Sequence, residues 1–346
     1  MPDNDNNSTR PNLRVLRKLP LLIILGLAVH LLVPQISSLE HSWAVVKGLS
    51  WWAIALAVVA QIFSYFGNGY LIHSLLRINK QKLSTARGTL ISVASQSVGL
   101  VAGGWLGGAA ATYNWIRDTN RDANTSVMAG TLPSIINNSV LIAVALIGTF
   151  YLLIVHDLSR VQLIEFGTIL LVIGVLAVLI YTIFRSPALL IKFVNGSRIL
   201  WAKIRRKPFS PTDLSEKLEK FLNSWRSIKN GNWVHPLIGS IANIGFDILT
   251  LYFVFLATGH NVSLEVLLAG YGLPILLGKM AFIIPGGVGV IEGGMVAVYD
   301  SLNVPNEISV VVILGYRLIS FWLPTLVGFM GAMILSRKNK TNQLNN

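Results

Sequence analysis

The sequence predicts an all-α multi-pass membrane protein, with about six transmembrane helices and two re-entrant helical hairpins in an inverted repeat. Three observations lead there. Of 346 residues, 53% are hydrophobic and only 12% charged, with a mean hydropathy of +0.62; soluble domains carry about 25% charged residues. Several apolar runs reach the roughly 20 residues needed to span a bilayer. The Lys and Arg residues collect between those runs and not on one face. The net charge of +13 is therefore a positive-inside pattern and not a nucleic-acid footprint.

The apolar segments fall near 19–36, 49–76, 89–114, 127–155, 162–184, 234–258, 264–299 and 308–335. Residues 1–18 form a polar and basic N-terminus ending in Arg14, Arg17 and Lys18. The run LLIILGLAVHLLV that follows resembles a signal peptide, but Pro34 leads into QISSLEHSW without a small-residue cleavage site, so an uncleaved first helix is expected. Residues 19–335 then read as a single transmembrane domain with halves 49–155 and 234–335, followed by a tail at 336–346.

Flanking charge sets the threading. If 89–114 crossed the membrane, the loop 185–233, with its eleven Lys/Arg, would lie outside. If it enters and returns, 24 of the 28 Lys/Arg fall on the cytoplasmic side, including those of both termini and Arg117 and Arg121 of the 115–126 loop. The same reasoning makes 264–299 a hairpin with both ends outward. Gly-rich backbone at membrane depth is tolerated only against protein or a wet cavity, so both hairpins are expected to face each other. Offset by 186 residues, Gly107 and Gly108 match Gly293 and Gly294, and Tyr113 matches Tyr299. Gly99, Gly103 and Gly107 recur at the spacing of close helix packing. Within 185–233, Leu214, Leu218, Phe221, Leu222, Trp225 and Ile228 recur at helical spacing beside Lys203, Arg205, Arg206 and Lys207. This reads as an amphipathic surface helix, either a platform for anionic headgroups or an ordinary positive-inside anchor.

Charged residues inside apolar helices are the candidates for function. Glu292 follows the turn carrying Gly286, Gly287 and Gly289, and Arg317, after Tyr316, sits in an otherwise apolar helix. Burying either alone costs several kcal/mol, so a pair, a headgroup contact or a wet cavity is expected. Two roles stay open: Arg317 engaging lipid phosphate through its planar fork, or a salt bridge fixing hairpin to helix. Asn243 and Asp247 share a helix face. Lys279 either snorkels or lines a path, and Asn137 and Asn138 read as helix–helix hydrogen bonders. The glycines of the first hairpin, Gly103, Gly104, Gly107 and Gly108, would let a headgroup approach backbone. The scattered histidines and the absence of cysteine exclude His/Cys metal spacing, and no nucleotide-binding or hydrolase motif appears. No metal and no cofactor are expected.

Pro285, Gly286, Gly287, Gly289, Glu292 and Gly293, followed by Tyr316, Arg317, Trp322, Pro324 and Gly328, resemble the lysylphosphatidylglycerol synthase transmembrane family. The resemblance implies a stand-alone, flippase-like member. Two departures accompany it. The first hairpin reads GGWLGG, without the proline, arginine or acidic residues many relatives carry, and no appended soluble synthase domain is expected, nor therefore aminoacyl transfer from tRNA. The expected function is a transporter of a phospholipid or polyprenyl-linked amphiphile, not a catalyst, in the cell membrane with both termini cytoplasmic. Its expected partners are anionic phospholipid or polyprenyl phosphate, with a homo-oligomer or an envelope-biosynthesis protein as further candidates and no nucleic acid. The rival readings are an intramembrane transferase acting on a lipid-linked substrate and an accessory scaffold for envelope assembly.

Overall fold

A computed structural model describes residues 43–120, 123–155, 158–185, 233–280 and 285–344. The first apolar segment and the amphipathic segment at 213–228 lie outside the described residues. The described chain is helical throughout: α1 (Trp43–Lys47), α2 (Trp51–Ile78), α3 (Thr85–Val101), α4 (Trp105–Asn120), α5 (Ala123–Val155), α6 (Arg160–Arg185), α7 (Val234–Ala257), α8 (Leu264–Met280), a 3₁₀ turn (Pro285–Gly287), α9 (Val290–Ser301), α10 (Asn306–Arg317), a π turn (Leu318–Trp322) and α11 (Leu323–Leu344). Among the described residues, four stretches are long and apolar enough to cross a membrane: Trp51–Ile78, Thr125–Val155, Val234–Ala257 and Asn306–Ser336. Apolar side chains such as Trp51, Ile62, Phe63, Ile147, Leu326 and Ile334 are exposed on them, as befits helices whose surroundings are lipid.

The two halves repeat one order: a long helix, a helical hairpin, a closing helix. In the first, α2 leads to the hairpin α3–α4 and then α5. In the second, α7 leads to α8–α9 and then α10–α11. The packing is reciprocal. α2 lies against α7, the first hairpin packs through α3 on α11 of the second half, and the second packs through α8 on α5 of the first. Each half thus packs its hairpin on the last helix of the other.

Small residues make the central contact. A Cβ on Gly67 of α2 would fall 2.5 Å from the backbone nitrogen of Asn243, and one on Gly239 of α7 would fall 2.7 Å from that of Leu71. Neither backbone can yield at that distance, so α2 and α7 touch main chain to main chain, the approach small residues permit between membrane helices. The largest buried cluster joins the halves: Ala57 of α2, Leu141, Ala145 and Leu152 of α5, Leu251 and Phe255 of α7, Met295 and Tyr299 of α9 and Tyr316 of α10.

Two expectations change in detail. The segment after the first hairpin is mostly helix, because α4 continues through Arg117 to Asn120 and α5 starts at Ala123. The glycine spacing 99, 103, 107 does not form one packing face, because the turn falls within it. Gly103 and Gly104 adopt φ of +91° and +70° with open space around them, whereas Gly99 and Gly107 close against Gly104 and Ala102 of their own hairpin. The left-handed turn breaks the helical period on which the stripe depends.

Candidate functional site in the polar centre

Arg317 ends α10, where the π turn begins, and Glu292 lies one turn into α9. Their side chains meet, Arg317 Nε donating to Glu292 Oε1 at 2.5 Å, with relative exposures of 8% and 3%. The second carboxylate oxygen of Glu292 accepts the backbone N–H of Gly289 at 2.6 Å. Glu292 is thus both counter-ion and cap, satisfying an orphan donor at the start of its own helix. Arg317 Nη2 donates to the Gly286 carbonyl at 3.2 Å, and the guanidinium stacks on Phe321 at 4.2 Å from the ring centre. Gly286 and Gly287 take φ of +67° and +63°, and a Cβ on Gly286 would lie 2.5 Å from Phe321 and 3.0 Å from Leu100. The turn of the second hairpin therefore abuts Leu100 near the end of α3, and the hairpins meet there.

Next to Arg317, Tyr316 turns toward α7. Asp247 Oδ2 accepts hydroxyl protons from Tyr271 of α8 at 2.7 Å and Tyr316 at 2.9 Å. Both tyrosines are buried. Gln61 of α2 is buried, and its Oε1 has no hydrogen-bond partner among the described residues. Tyr65 donates to the carbonyl of Ser320 at 2.9 Å, with Gln96 Oε1 of α3 at 3.2 Å. Ser320 lies in the π turn, whose altered register frees carbonyls from the helix ladder; such turns frequently mark functional sites. Lys279 of α8 is exposed and donates to Asn138 of α5 at 2.9 Å.

A hydrogen-bonded chain runs beside this centre. Ser240 donates to Asn137 at 2.6 Å, Asn137 to Asn68 at 3.1 Å, and Asn68 to Ser92 at 2.6 Å. It links α7, α5, α2 and α3 in turn. Asn243 does not join Asp247: its amide donates to the backbone oxygen and hydroxyl of Ser64, both at 3.0 Å, and Ser64 donates back to the Asn243 carbonyl at 2.8 Å.

The structure thus brings together Arg317, Glu292, Gly286, Gly287 and Gly289, joins Tyr316 and Asp247 beside them, and sets Asn243 one turn away. Gly103 and Gly104 lie at the exposed tip of the first hairpin, and Gly107 and Gly108 pack inside it. Gln61, Ser64, Tyr65, Asn68 and Tyr271 are members of the centre that sequence reasoning passed over. The first four stand at i, i+3, i+4 and i+7, a polar stripe within a 28-residue apolar helix. That periodicity was available in the sequence.

Fold and site define a helical membrane protein with a charged, hydrogen-bonded centre between two similar halves. The chain belongs to the lysylphosphatidylglycerol synthase TM region family, whose pattern matches residues 21–328. It is 27% identical over 336 residues to a UPF0104 membrane protein of Pyrococcus horikoshii, covering 92% of this chain and 97% of that one. It is 31% identical over 165 residues to a UPF0104 membrane protein of Methanocaldococcus jannaschii, a match covering 47% of this chain and about half (48%) of that protein. A UPF0104 membrane protein of Methanothermobacter thermautotrophicus is 34% identical over 82 residues, 24% of each chain.

Proposed function

We propose that the protein is a translocase for an anionic amphiphile, a phospholipid or a polyprenyl-linked lipid, in the cell membrane, with both termini cytoplasmic. The observation that carries this is the buried Arg317–Glu292 pair where the two hairpins meet, one residue from the Asp247 cluster. Ionisable groups in a membrane domain are costly and mark substrate or ion paths. Both hairpins re-enter on this reading, one from each side, so the centre lies near mid-membrane, where inverted repeats hold their substrates.

Arg317 supplies the recognition element. Its Nε stays on Glu292, while Nη2 exchanges the longer contact to Gly286 for a phosphate oxygen and Nη1 takes a second, a bidentate grip an ammonium cannot make. Lys279, exposed and hydrogen-bonded to Asn138, is a further cation on the second hairpin. The chemistry is binding and release, without covalent catalysis.

The test is reconstitution in liposomes carrying a fluorescent anionic phospholipid or polyprenyl phosphate, read by quenching from the outer face. The expected result is faster loss of inner-leaflet protection than in empty liposomes, abolished by Arg317→Gln. Rates equal to those of empty liposomes for both lipid classes would overturn the reading.

A further inference from the structure

Two side-chain amides in the hydrogen-bonded chain keep half of their bonding capacity. An amide offers two N–H donors and two lone pairs on its oxygen. Asn137 of α5 spends one N–H on Asn68 at 3.1 Å, and its oxygen accepts the Ser240 hydroxyl at 2.6 Å. Asn68 of α2 spends one N–H on Ser92 at 2.6 Å, and its oxygen accepts Asn137. Neither amide makes another hydrogen bond among the described residues. Each is left with one N–H and one lone pair. Exchanging oxygen and nitrogen on both amides reverses the run from Ser240 to Ser92 and leaves the same two groups spare on each. Both residues are half-buried and not sealed in the core.

Gln96 adds a third amide. It is exposed on α3, one turn beyond Ser92, and its oxygen lies 3.2 Å from the Tyr65 hydroxyl. Tyr65 precedes Asn68 by one turn of α2 and donates to Ser320, three residues past Arg317. The amides are thereby tied to the turn that follows the arginine of the proposed phosphate site.

The inventory of spare groups selects the ligand. A phosphate oxygen only accepts and an ammonium only donates, so either would leave half of the spare groups unmet. A hydroxyl does both, with one O–H to give and lone pairs to receive. Two amides bonded to each other, each with one donor and one acceptor spare, match two hydroxyls on neighbouring atoms. Ser240 and Ser92 hold the pair from its two ends before a ligand arrives, which lowers the ordering cost of binding.

We propose that Asn68 and Asn137 form a recognition site for a vicinal diol in the lipid headgroup. The diol belongs to a polyol phospholipid or to a sugar on a polyprenyl phosphate; the shared chemistry is a pair of adjacent hydroxyls near a phosphate. The site adds a substrate class to the translocase reading and rests on it for the route of the headgroup, and the test separates the two.

Full-length protein in detergent is titrated with phosphatidylglycerol, whose headgroup ends in a vicinal diol, and with phosphatidylmethanol, which has the same charge and no hydroxyl. Bound lipid is counted by native mass spectrometry. The diol lipid should bind about tenfold or more tightly, the order for two hydrogen bonds lost together. Polyprenyl phosphohexose against polyprenyl phosphate forms the second pair. A preference in either pair bears the site out, and the pair that shows it identifies the tail. Asn68→Leu and Asn137→Leu should bring the diol lipid down to the level of its hydroxyl-free analogue and leave that analogue unchanged. Equal affinity within both pairs overturns the site. So does an equal loss of both lipids in folded variants, which makes the amides structural; if the variants do not fold, the wild-type ratios decide. In liposomes, movement of neither phospholipid defeats the translocase reading, and the binding ratios still decide the diol site. Movement of both, with equal binding in both pairs, defeats the diol site and leaves translocation standing.

Discussion

Arg317 and Glu292, 25 residues apart on different helices, close on each other at 2.5 Å with almost no exposure. Removing one partner of a buried pair strands the other charge, at a cost of about 3–5 kcal/mol. Glu292→Gln and Arg317→Gln should each lower thermal stability in detergent by that order. The double Gln variant should recover most of the stability, because no lone charge remains. On the proposed function it should not recover lipid movement, since the phosphate-binding fork is gone. A double-mutant cycle on both readouts checks this, and restored movement in the double variant would leave the pair a purely structural clasp.

Gly286 supports that pair from the turn. Gly286→Ala meets Phe321 at 2.5 Å and also forces an alanine into a left-handed conformation at φ +67°. The expected loss is at least the 1–2 kcal/mol that L residues pay there, measured as a fall in melting temperature. Gly103→Ala carries the same conformational penalty at φ +91° but meets nothing within 4 Å, so it should lose less.

Tyr271 and Tyr316 share one acceptor, Asp247 Oδ2. Tyr271→Phe and Tyr316→Phe should each cost about 0.5–1.5 kcal/mol, the net range for an intramolecular hydrogen bond. Because they serve one oxygen, the double Phe variant should depart from the sum of the singles, which chemical denaturation of all three variants would show.

Gly67→Ala should loosen the α2–α7 contact, since its Cβ would lie 2.5 Å from the Asn243 backbone. Gly167→Ala on α6 meets nothing within 4 Å and serves as the control, expected to keep or raise stability by up to about 1 kcal/mol. Comparing their melting temperatures isolates the close approach from any general effect of replacing a membrane-helix glycine.

The chain contains no cysteine, so a single introduced thiol reports topology without background. Arg117 is exposed near the end of α4. If the hairpin α3–α4 re-enters, Arg117→Cys should resist membrane-impermeant thiol reagents in intact cells and label after permeabilisation. Labelling of intact cells would remove the inverted-repeat threading.

Much of this architecture was legible in one dimension. Apolar runs of membrane length, glycine-rich interruptions within two of them, and the gathering of Lys and Arg into a few loops depend on local composition alone. The bilayer imposes hydrophobic length and internal hydrogen bonding on any segment that enters it. The cost of an unpaired intramembrane charge likewise singled out Arg317, Glu292 and Asp247. What composition cannot carry is pairing across distance. That Asp247 receives Tyr271 and Tyr316, that Asn243 turns away to Ser64, and that Lys279 meets Asn138 follow from how α2, α5, α7, α8 and α10 pack. The glycine contacts bring α2 and α7 together, and a hydrogen bond needs its partners within about 3 Å. The polar stripe of Gln61, Ser64, Tyr65 and Asn68 stands between these cases. Its period is written in the sequence, but only the facing Asp247, Ser92, Asn137 and Asn243 make it the lining of a centre.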